Sequence, residues 1–217
     1  MVVDIAAMAK STKRETGRER FADRVMDAMA KVPRHRFVAE TAARSAYRNE
    51  PLPIGEGQTI SQPYIVALST DLLDPRPEDV VLEIGTGSGY QAAVLSELVK
   101  EVYSIEIVEP LGRSAAERLK TLGYRKVEVR IGDGYQGWPE HAPFDGIIVT
   151  AAAPFIPEPL IEQLKTGGKM VIPVESGGGG QQMLLVEKRA DGTIAKRVVL
   201  NVAFVPMTGK GIQERRR

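Results

Sequence analysis

Val81-Leu82-Glu83-Ile84-Gly85-Thr86-Gly87-Ser88-Gly89-Tyr90 runs from a short apolar segment into three alternate glycines, and then into helical spacing. It reads as a strand, a tight turn and the start of a helix. Glycines in such a turn let the backbone approach a ligand closely and tolerate positive φ. The helix N-terminus behind them offers free N–H groups to a carboxylate or a phosphate. The dinucleotide fingerprint Gly-x-Gly-x-x-Gly places its third glycine one residue later, where this chain has Tyr90. Taken alone, the motif leaves open a plain strand-to-helix turn with no ligand.

Outward from this stretch, two hydrophobic periods alternate. Val102 to Ile107, Val127 to Ile131, Phe144 to Thr150 and Lys169 to Val174 are apolar runs of strand length. Between them Tyr90 to Val99, Pro110 to Leu122 (capped by Gly123) and Pro159 to Leu164 (ended by Gly167-Gly168) have helical spacing. Strands apolar on both faces that alternate with helices predict an α/β fold, a doubly wound, mostly parallel sheet covered on both sides. Gln182 to Arg189 and Arg197 to Val205, joined by Asp191-Gly192, predict antiparallel edge strands at the C-terminal end. The four glycines 177–180 read as a plain loop in preference to a lid.

Before the quoted stretch the pattern is helical. Glu19 to Lys31 carries Phe21, Val25, Met26 and Met29 at helical spacing; Pro33 ends that helix, and Phe37 to Tyr47 is a second short piece. Pro51-Leu-Pro-Ile-Gly-Glu-Gly57 predicts a loop. Ile65 to Leu73 predicts a helix, with Pro63 in its first turn. These pieces form an N-terminal helical cap. The charged segment before Arg20 and the Arg215–Arg217 tail are expected to be solvated ends.

The chain has 217 residues, with 29 Lys and Arg against 28 Asp and Glu, no Cys and two His. A net charge of +1 is too near balance for a generic nucleic-acid or membrane-surface binder. Zero cysteine removes disulfide frameworks, thiolate metal sites and cysteine nucleophiles, and His35 and His141 are too few for a multi-histidine metal site. No run approaches the apolar length of a membrane span. The N-terminal order of charge and apolar residues is wrong for a signal peptide, so the expected location is cytoplasmic.

Two acids narrow the ligand. Glu106 follows Gly85 by about twenty residues, near the end of the second strand, where a carboxylate can accept both hydroxyls of a ribose. Asp133, in Gly132-Asp133-Gly134, ends the third strand, where it can reach an adenine edge. Each alone is equally readable as a loop residue. Together with the glycine turn they converge at the carboxyl ends of parallel strands, where such sheets bind ligands. An adenosine-containing cofactor follows.

The arrangement resembles the class I S-adenosylmethionine-dependent methyltransferases, with their Rossmann-like core. The likeness narrows with Gly57-Gln-Thr-Ile-Ser-Gln-Pro63, Val32-Pro-Arg-His-Arg-Phe-Val38, Gly132-Asp-Gly-Tyr-Gln-Gly-Trp-Pro139, Phe144-Asp-Gly-Ile-Ile-Val-Thr-Ala-Ala-Ala-Pro154 and Phe204-Val-Pro-Met-Thr-Gly209. Taken along the chain, from about Phe21 to Gly209, these blocks resemble in content and order the protein-L-isoaspartate O-methyltransferases.

The resemblance implies S-adenosylmethionine as methyl donor and S-adenosylhomocysteine as product. Gly85, Thr86, Gly87, Ser88 and Gly89 would hold the methionine part, Glu106 and Ile107 the ribose side, and Gly132, Asp133 and Gly134 the adenine. Ser61 matches the family's active-site serine. Gln58, Thr59, Ile60 and Ser61, with Val205 and Pro206, match regions that hold the substrate backbone. The implied substrates are isoaspartyl-containing proteins and peptides, methylated on the free α-carboxylate to a labile ester that cyclises to a succinimide. One domain is expected: an extension over 1–18, a substrate-side cap over 19–75, a cofactor core over 76–175, and an edge and tail over 176–217. A monomer is favoured, with no metal, nucleic acid or membrane partner.

The acceptor carboxylate is ionised at neutral pH, with a reference pKa near ~3.5, so no general base is required. Ser61 is expected to orient that carboxylate by a hydrogen bond, although a Ser just before a Pro-initiated helix is also an ordinary cap arrangement. Three rival readings stand beside this one. They are a nicotinamide-dependent oxidoreductase using the same crevice, a methyltransferase acting on RNA or a small molecule, and a non-enzymatic binding module.

Overall fold

The computed structural model describes residues 1–211; the arginine tail expected to be solvated lies outside the described residues. The chain opens with helices α1 (Val2–Ser11), α2 (Lys13–Thr16) and α3 (Asp23–Lys31). Two 3-10 turns, Arg34–Phe37 and Glu40–Ser45, lead into a hairpin of β1 (Leu52–Gly55) and β2 (Gln58–Ile60). Then come α4 (Pro63–Leu73), β3 (Val80–Ile84), α5 (Tyr90–Ser96), β4 (Glu101–Glu106), α6 (Glu109–Thr121) and β5 (Val127–Ile131). The chain continues through β6 (Phe144–Val149), α7 (Glu158–Gln163), β7 (Leu164–Glu175), β8 (Gln181–Lys188) and β9 (Ile194–Val202).

Seven strands form one sheet in the order β5-β4-β3-β6-β7-β8-β9. The pairs from β5 to β7 are parallel, and β8 and β9 add antiparallel. Successive residues of the central strands go to opposite cores. Val81, Val102 and Ile148 pack with α3, α4 and α5, whereas Leu82, Tyr103, Ile105, Ile147 and Val149 pack with Trp138 and Leu160 on the other face. Burial on both faces is why these strands read as unbroken apolar runs. The sheet order reverses beside β3: the chain moves outward through β4 and β5, then returns to β6 on the other side. This switch point is where an open α/β sheet leaves a crevice at its strand ends.

The N-terminal stretch departs from the expected flexible extension. Helix α1 buries Ile5 and Ala9 completely against the core, and Thr12 Oγ1 lies 2.5 Å from the Tyr64 hydroxyl on α4. Arg18 pairs with the buried carboxylate of Asp71 at 3.2 Å, and Asp71 also accepts the Ala22 N–H at 2.7 Å. The apolar face is only one short helix long and carries Asp4 on its solvent side, so it gives little periodic signal. Residues 51–57 also differ: the expected loop is a hairpin, with Leu52 opposite Ile60 and Pro53 opposite Thr59. Its turn, Glu56-Gly57, takes positive φ at both residues, and Pro53 sits on one strand of this two-stranded sheet, at an edge where a missing N–H is tolerated.

Gly167-Gly168 does not close α7 but lies inside β7, at the irregularity where Leu164 faces Phe144 and Lys169 faces Gly146. The four-glycine run closes the turn between β7 and β8, with Ser176 N–H donating to Gly180 O at 2.8 Å, in keeping with the loop reading. At the far end of the sheet β9 is the edge strand, and α2 lies against it. No helix among the described residues is long and apolar enough to cross a membrane.

Candidate active site

At the carboxyl ends of β3, β4 and β6 lies an open cleft. Its floor is the glycine turn. Gly85 N–H donates to Ile105 O at 2.8 Å, and Thr150, just past β6, donates its hydroxyl to Gly85 O at 2.6 Å. Gly85 has φ +94°, and a Cβ there would overlap Thr150 Oγ1. Only glycine meets both demands, so the close approach of the two strand ends dictates the residue.

Glu106 ends β4 almost fully buried. Its Oε2 accepts the Gly87 N–H at 2.8 Å and its Oε1 the Val108 N–H at 2.9 Å. A carboxylate has about four lone-pair sites, so each oxygen keeps capacity for a ligand hydroxyl. Below the turn, Glu83 on β3 is completely buried. Ser104 donates its hydroxyl to Glu83 Oε2, and Thr86 Oγ1 lies 2.6 Å from the same Ser104 oxygen. Burial, with Glu106 nearby and against the Ser104 hydrogen bond, pushes the Glu83 carboxyl up to about 8. Its Oε1 has no hydrogen-bond partner among the described residues.

The opposite wall comes from β2 and the segment after it. Gln58, Thr59, Ile60 and Ser61 line the cleft together with Val205 and Pro206. Ser61 does not cap α4. The cap position is Gln62, whose side chain donates to Asn49 O at 2.9 Å, while Asn49 Oδ1 accepts the Tyr64 N–H at 2.9 Å. With those roles filled by Asn49, the Ser61 hydroxyl has no hydrogen-bond partner among the described residues and stands at the cleft.

The residues expected from the sequence divide as follows. Gly85, Thr86, Gly87, Ser88, Glu106, Ile107 and Gly134 line the cleft with the Ser61 loop and Val205-Pro206. Gly89, Gly132 and Asp133 do not. Gly89 caps α5, and Asp133 spends its oxygens on the backbone N–H groups of Tyr135 at 3.0 Å and Lys210 at 2.7 Å. Trp138 is buried beneath Arg130, whose guanidinium sits 4.3 Å from its ring, and His141 stacks on Tyr103 at 3.8 Å. Neither reaches the cleft. Glu83 and Thr150 were missed. An acid within a strand apolar on both faces is a signal that could have found the first; for Thr150 there was none.

The cleft presents two carboxyls and no cationic side chain among its lining residues. A pyrophosphate-bearing dinucleotide asks for the opposite charge, whereas a ligand carrying a sulfonium and an ammonium suits it. The unpartnered Glu83 oxygen and the ribose-ready Glu106 together fit S-adenosylmethionine. Among the described residues no group of three or more metal-ligating side chains occurs.

Comparison with known proteins points the same way. A family model described as Protein-L-isoaspartate(D-aspartate) O-methyltransferase matches residues 9–212. A protein-L-isoaspartate O-methyltransferase 2 from Polaromonas is 59% identical over 210 residues, which is 97% of this chain and 100% of the relative. A protein-L-isoaspartate O-methyltransferase 1 from Cupriavidus necator is 60% identical over 97% of this chain and 81% of its own. Among solved structures, a protein-L-isoaspartate O-methyltransferase superposes with a TM-score of 0.86 at 28% identity, covering 99% of this chain and 69% of that one. A Plasmodium falciparum beta-aspartate methyltransferase in complex with S-adenosyl-L-homocysteine gives 0.75 at 26% identity over 94% of this chain and 97% of that one.

Proposed function

The chain belongs to the protein-L-isoaspartate (D-aspartate) O-methyltransferase family and is a repair methyltransferase acting on isoaspartyl residues with S-adenosylmethionine; from that premise we propose how its side chains divide the work. The observation that carries the assignment is a single cleft lined at once by the Gly85–Ser88 turn, by Glu106, and by Ser61 with Val205-Pro206. The glycine turn holds the methionine part of the cofactor. Glu106 accepts the ribose hydroxyls beside Ile107, and the Gly132–Gly134 turn, which reaches the cleft at Gly134, bounds the adenine. Gln58 to Ser61 and Val205-Pro206 hold the peptide backbone on either side of the isoaspartyl unit.

When bound, the cofactor supplies an electrophilic methyl group on a sulfonium that leaves as a neutral thioether. The protein's task is then placement. The acceptor is an α-carboxylate already ionised at neutral pH, and the cleft accordingly has no His or Lys among its lining residues. The free hydroxyl of Ser61 donates to one carboxylate oxygen and leaves the other aimed at the methyl group. Alignment of this kind contributes on the order of several kcal/mol. Closing Val205, Pro206 and Ile60 around the ester-forming oxygen removes water that would otherwise shield it. At neutral pH Glu83, pushed up to about 8, is mostly uncharged before ligands bind. Glu106 is then the main fixed negative charge facing an anionic substrate.

The ester product lies beside the next amide nitrogen along the side-chain linkage. That nitrogen closes a five-membered ring and expels methanol, with the high effective concentration of an intramolecular reaction. We also read the working unit as a monomer. The test is methyl transfer from labelled donor to a short peptide in isoaspartyl and aspartyl forms. The isoaspartyl peptide takes up label and releases it as volatile methanol at mildly alkaline pH; the aspartyl peptide does neither. Stable methylation of lysine, arginine or RNA with no methanol would overturn the assignment.

A further inference from the structure

We infer that Arg118 on α6 is a positioning residue for the amino-acid end of the cofactor: from outside the cleft its guanidinium holds the Ser88 carbonyl and so fixes the glycine turn, given that this turn takes the methionine part as proposed above.

Helix α6 closes on the backs of both cofactor elements. A Cβ at Gly112 would come 3.2 Å from Glu106 Cβ and 3.1 Å from Ile131 Cγ1, so a residue unfavourable inside a helix is what lets α6 approach the end of β4. Further along the helix Leu119 is buried against the last glycine of the turn, where a Cβ at Gly89 would lie 3.0 Å from Leu119 Cδ1. Arg118, next to it, donates from Nη1 to Ser88 O at 2.9 Å and from Nη2 to Ser114 Oγ at 3.1 Å. Ser114 lies one turn back on the same helix. The second bond therefore braces the guanidinium against α6 and keeps the first aimed at the turn.

The turn spends most of its own donors inward. Gly85 N–H donates to Ile105 O, Gly87 N–H to Glu106 Oε2 and Gly89 N–H to Thr86 O. Ser88 lines the cleft, and its N–H has no acceptor among the described residues. Arg118 thus fixes, through the carbonyl, the residue whose N–H is left for a ligand carboxylate. The side chain is half-buried, burial lowers its pKa, and it makes no ion pair among the described residues. A guanidinium desolvated without a carboxylate partner is spent on its hydrogen bonds, and a bond from a charged donor is about twice as strong as a neutral one.

Arg118→Met keeps the aliphatic stem, removes the fork and alters no cleft-lining residue. Its affinities are measured for S-adenosylhomocysteine and for 5′-methylthioadenosine, which shares the thioether nucleoside but lacks the amino-acid end. Wild type should prefer the first ligand. Arg118→Met should bind S-adenosylhomocysteine roughly tenfold more weakly, the scale of one hydrogen bond from a charged group, and methylthioadenosine within about twofold of wild type. KM for an isoaspartyl peptide at saturating donor should also stay within about twofold. Arg118→Lys can still reach Ser88 O without the Ser114 brace and should recover part of the loss. Arg113→Ala, exposed on the same helix and paired with Glu109 at 2.6 Å, should change neither affinity. Unchanged affinity for S-adenosylhomocysteine in Arg118→Met overturns the inference, whatever its melting temperature does, because a purely structural anchor gives that result. Equal losses for the two ligands overturn it as well, since they report a loosened α6 and not the amino-acid end. A wild-type preference that Arg118→Met leaves intact sinks the role of Arg118 alone; no wild-type preference sinks the methionine reading of the glycine turn with it.

Discussion

Asn49 Oδ1 accepts the backbone N–H of Tyr64 at 2.9 Å, so the first turn of α4 is capped from across the chain rather than by the serine that precedes it. The same Asn49 accepts the Gln62 side chain on its carbonyl at 2.9 Å and points its amide at Met8 Sδ, 3.4 Å away. Ser61 is left with its hydroxyl at the cleft. Ser61→Ala should therefore cost much turnover and little stability, whereas Asn49→Ala should lose about 1 kcal/mol of stability, the usual value of a cap. Asn49→Asp keeps the acceptor and should restore most of it. Melting curves and single-turnover rates on the three variants separate the roles; a Ser61→Ala variant that turns over normally removes the serine from the mechanism.

Glu106 serves backbone and ligand with the same two oxygens. Glu106→Ala should weaken S-adenosylhomocysteine binding by roughly 1–3 kcal/mol, and the melting temperature should fall too, because the N–H groups of Gly87 and Val108 lose their acceptor. Calorimetry on folded variant measures the first effect. Wild-type affinity would sink the ribose assignment.

Glu83 makes a prediction about pH. Its carboxyl is raised by burial from 4.5 to about 8 in the fold, so between those values the folded protein holds a proton that the unfolded chain has released. Stability from this group is complete below pH 4.5 and is lost as pH rises towards 8. Glu83→Gln should flatten that decline. A bound sulfonium and ammonium should also draw the proton off, so cofactor binding at pH 7 should release protons to the buffer. Titration in buffers of different ionisation enthalpy detects this, and no buffer dependence would contradict it.

Gly85→Ala tests the close approach of β3 and β6. The new methyl group meets Thr150 Oγ1, and the backbone stays at φ +94°. The strain should be on the order of 1–3 kcal/mol and should appear in cofactor affinity, since the turn itself must move. Adding Thr150→Ala relieves the overlap but not the φ, so the double variant should recover only part. Full recovery would mean that crowding alone selects the glycine.

Much of the core was legible because burial on both faces writes itself as apolar runs, and Val81–Ile84, Val102–Ile105 and Phe144–Val149 all lie within expected strands. The glycine turn and Glu106 were legible because ligand chemistry restricts residue type at fixed spacing. Helix α1 was not, since two buried residues, Ile5 and Ala9, leave too short a pattern. The hairpin at 52–60 was hidden by its prolines and glycines, which signal a turn without saying what flanks it. Asp133 had the correct neighbourhood, but its partners Lys210 and Tyr135 come from a long-range closure that local spacing does not encode.

The outermost strand, β9, bears on the company this enzyme keeps. Its substrates are chains carrying isoaspartyl residues, and an open strand edge is a ready template for pairing with any extended segment. Lys196 and Arg197 stand exposed midway along β9, and α2 lies along part of it. Charge and a covering helix discourage a passing strand from adding to the sheet. An extended peptide is thus steered away from the flank of the sheet and left to the cleft.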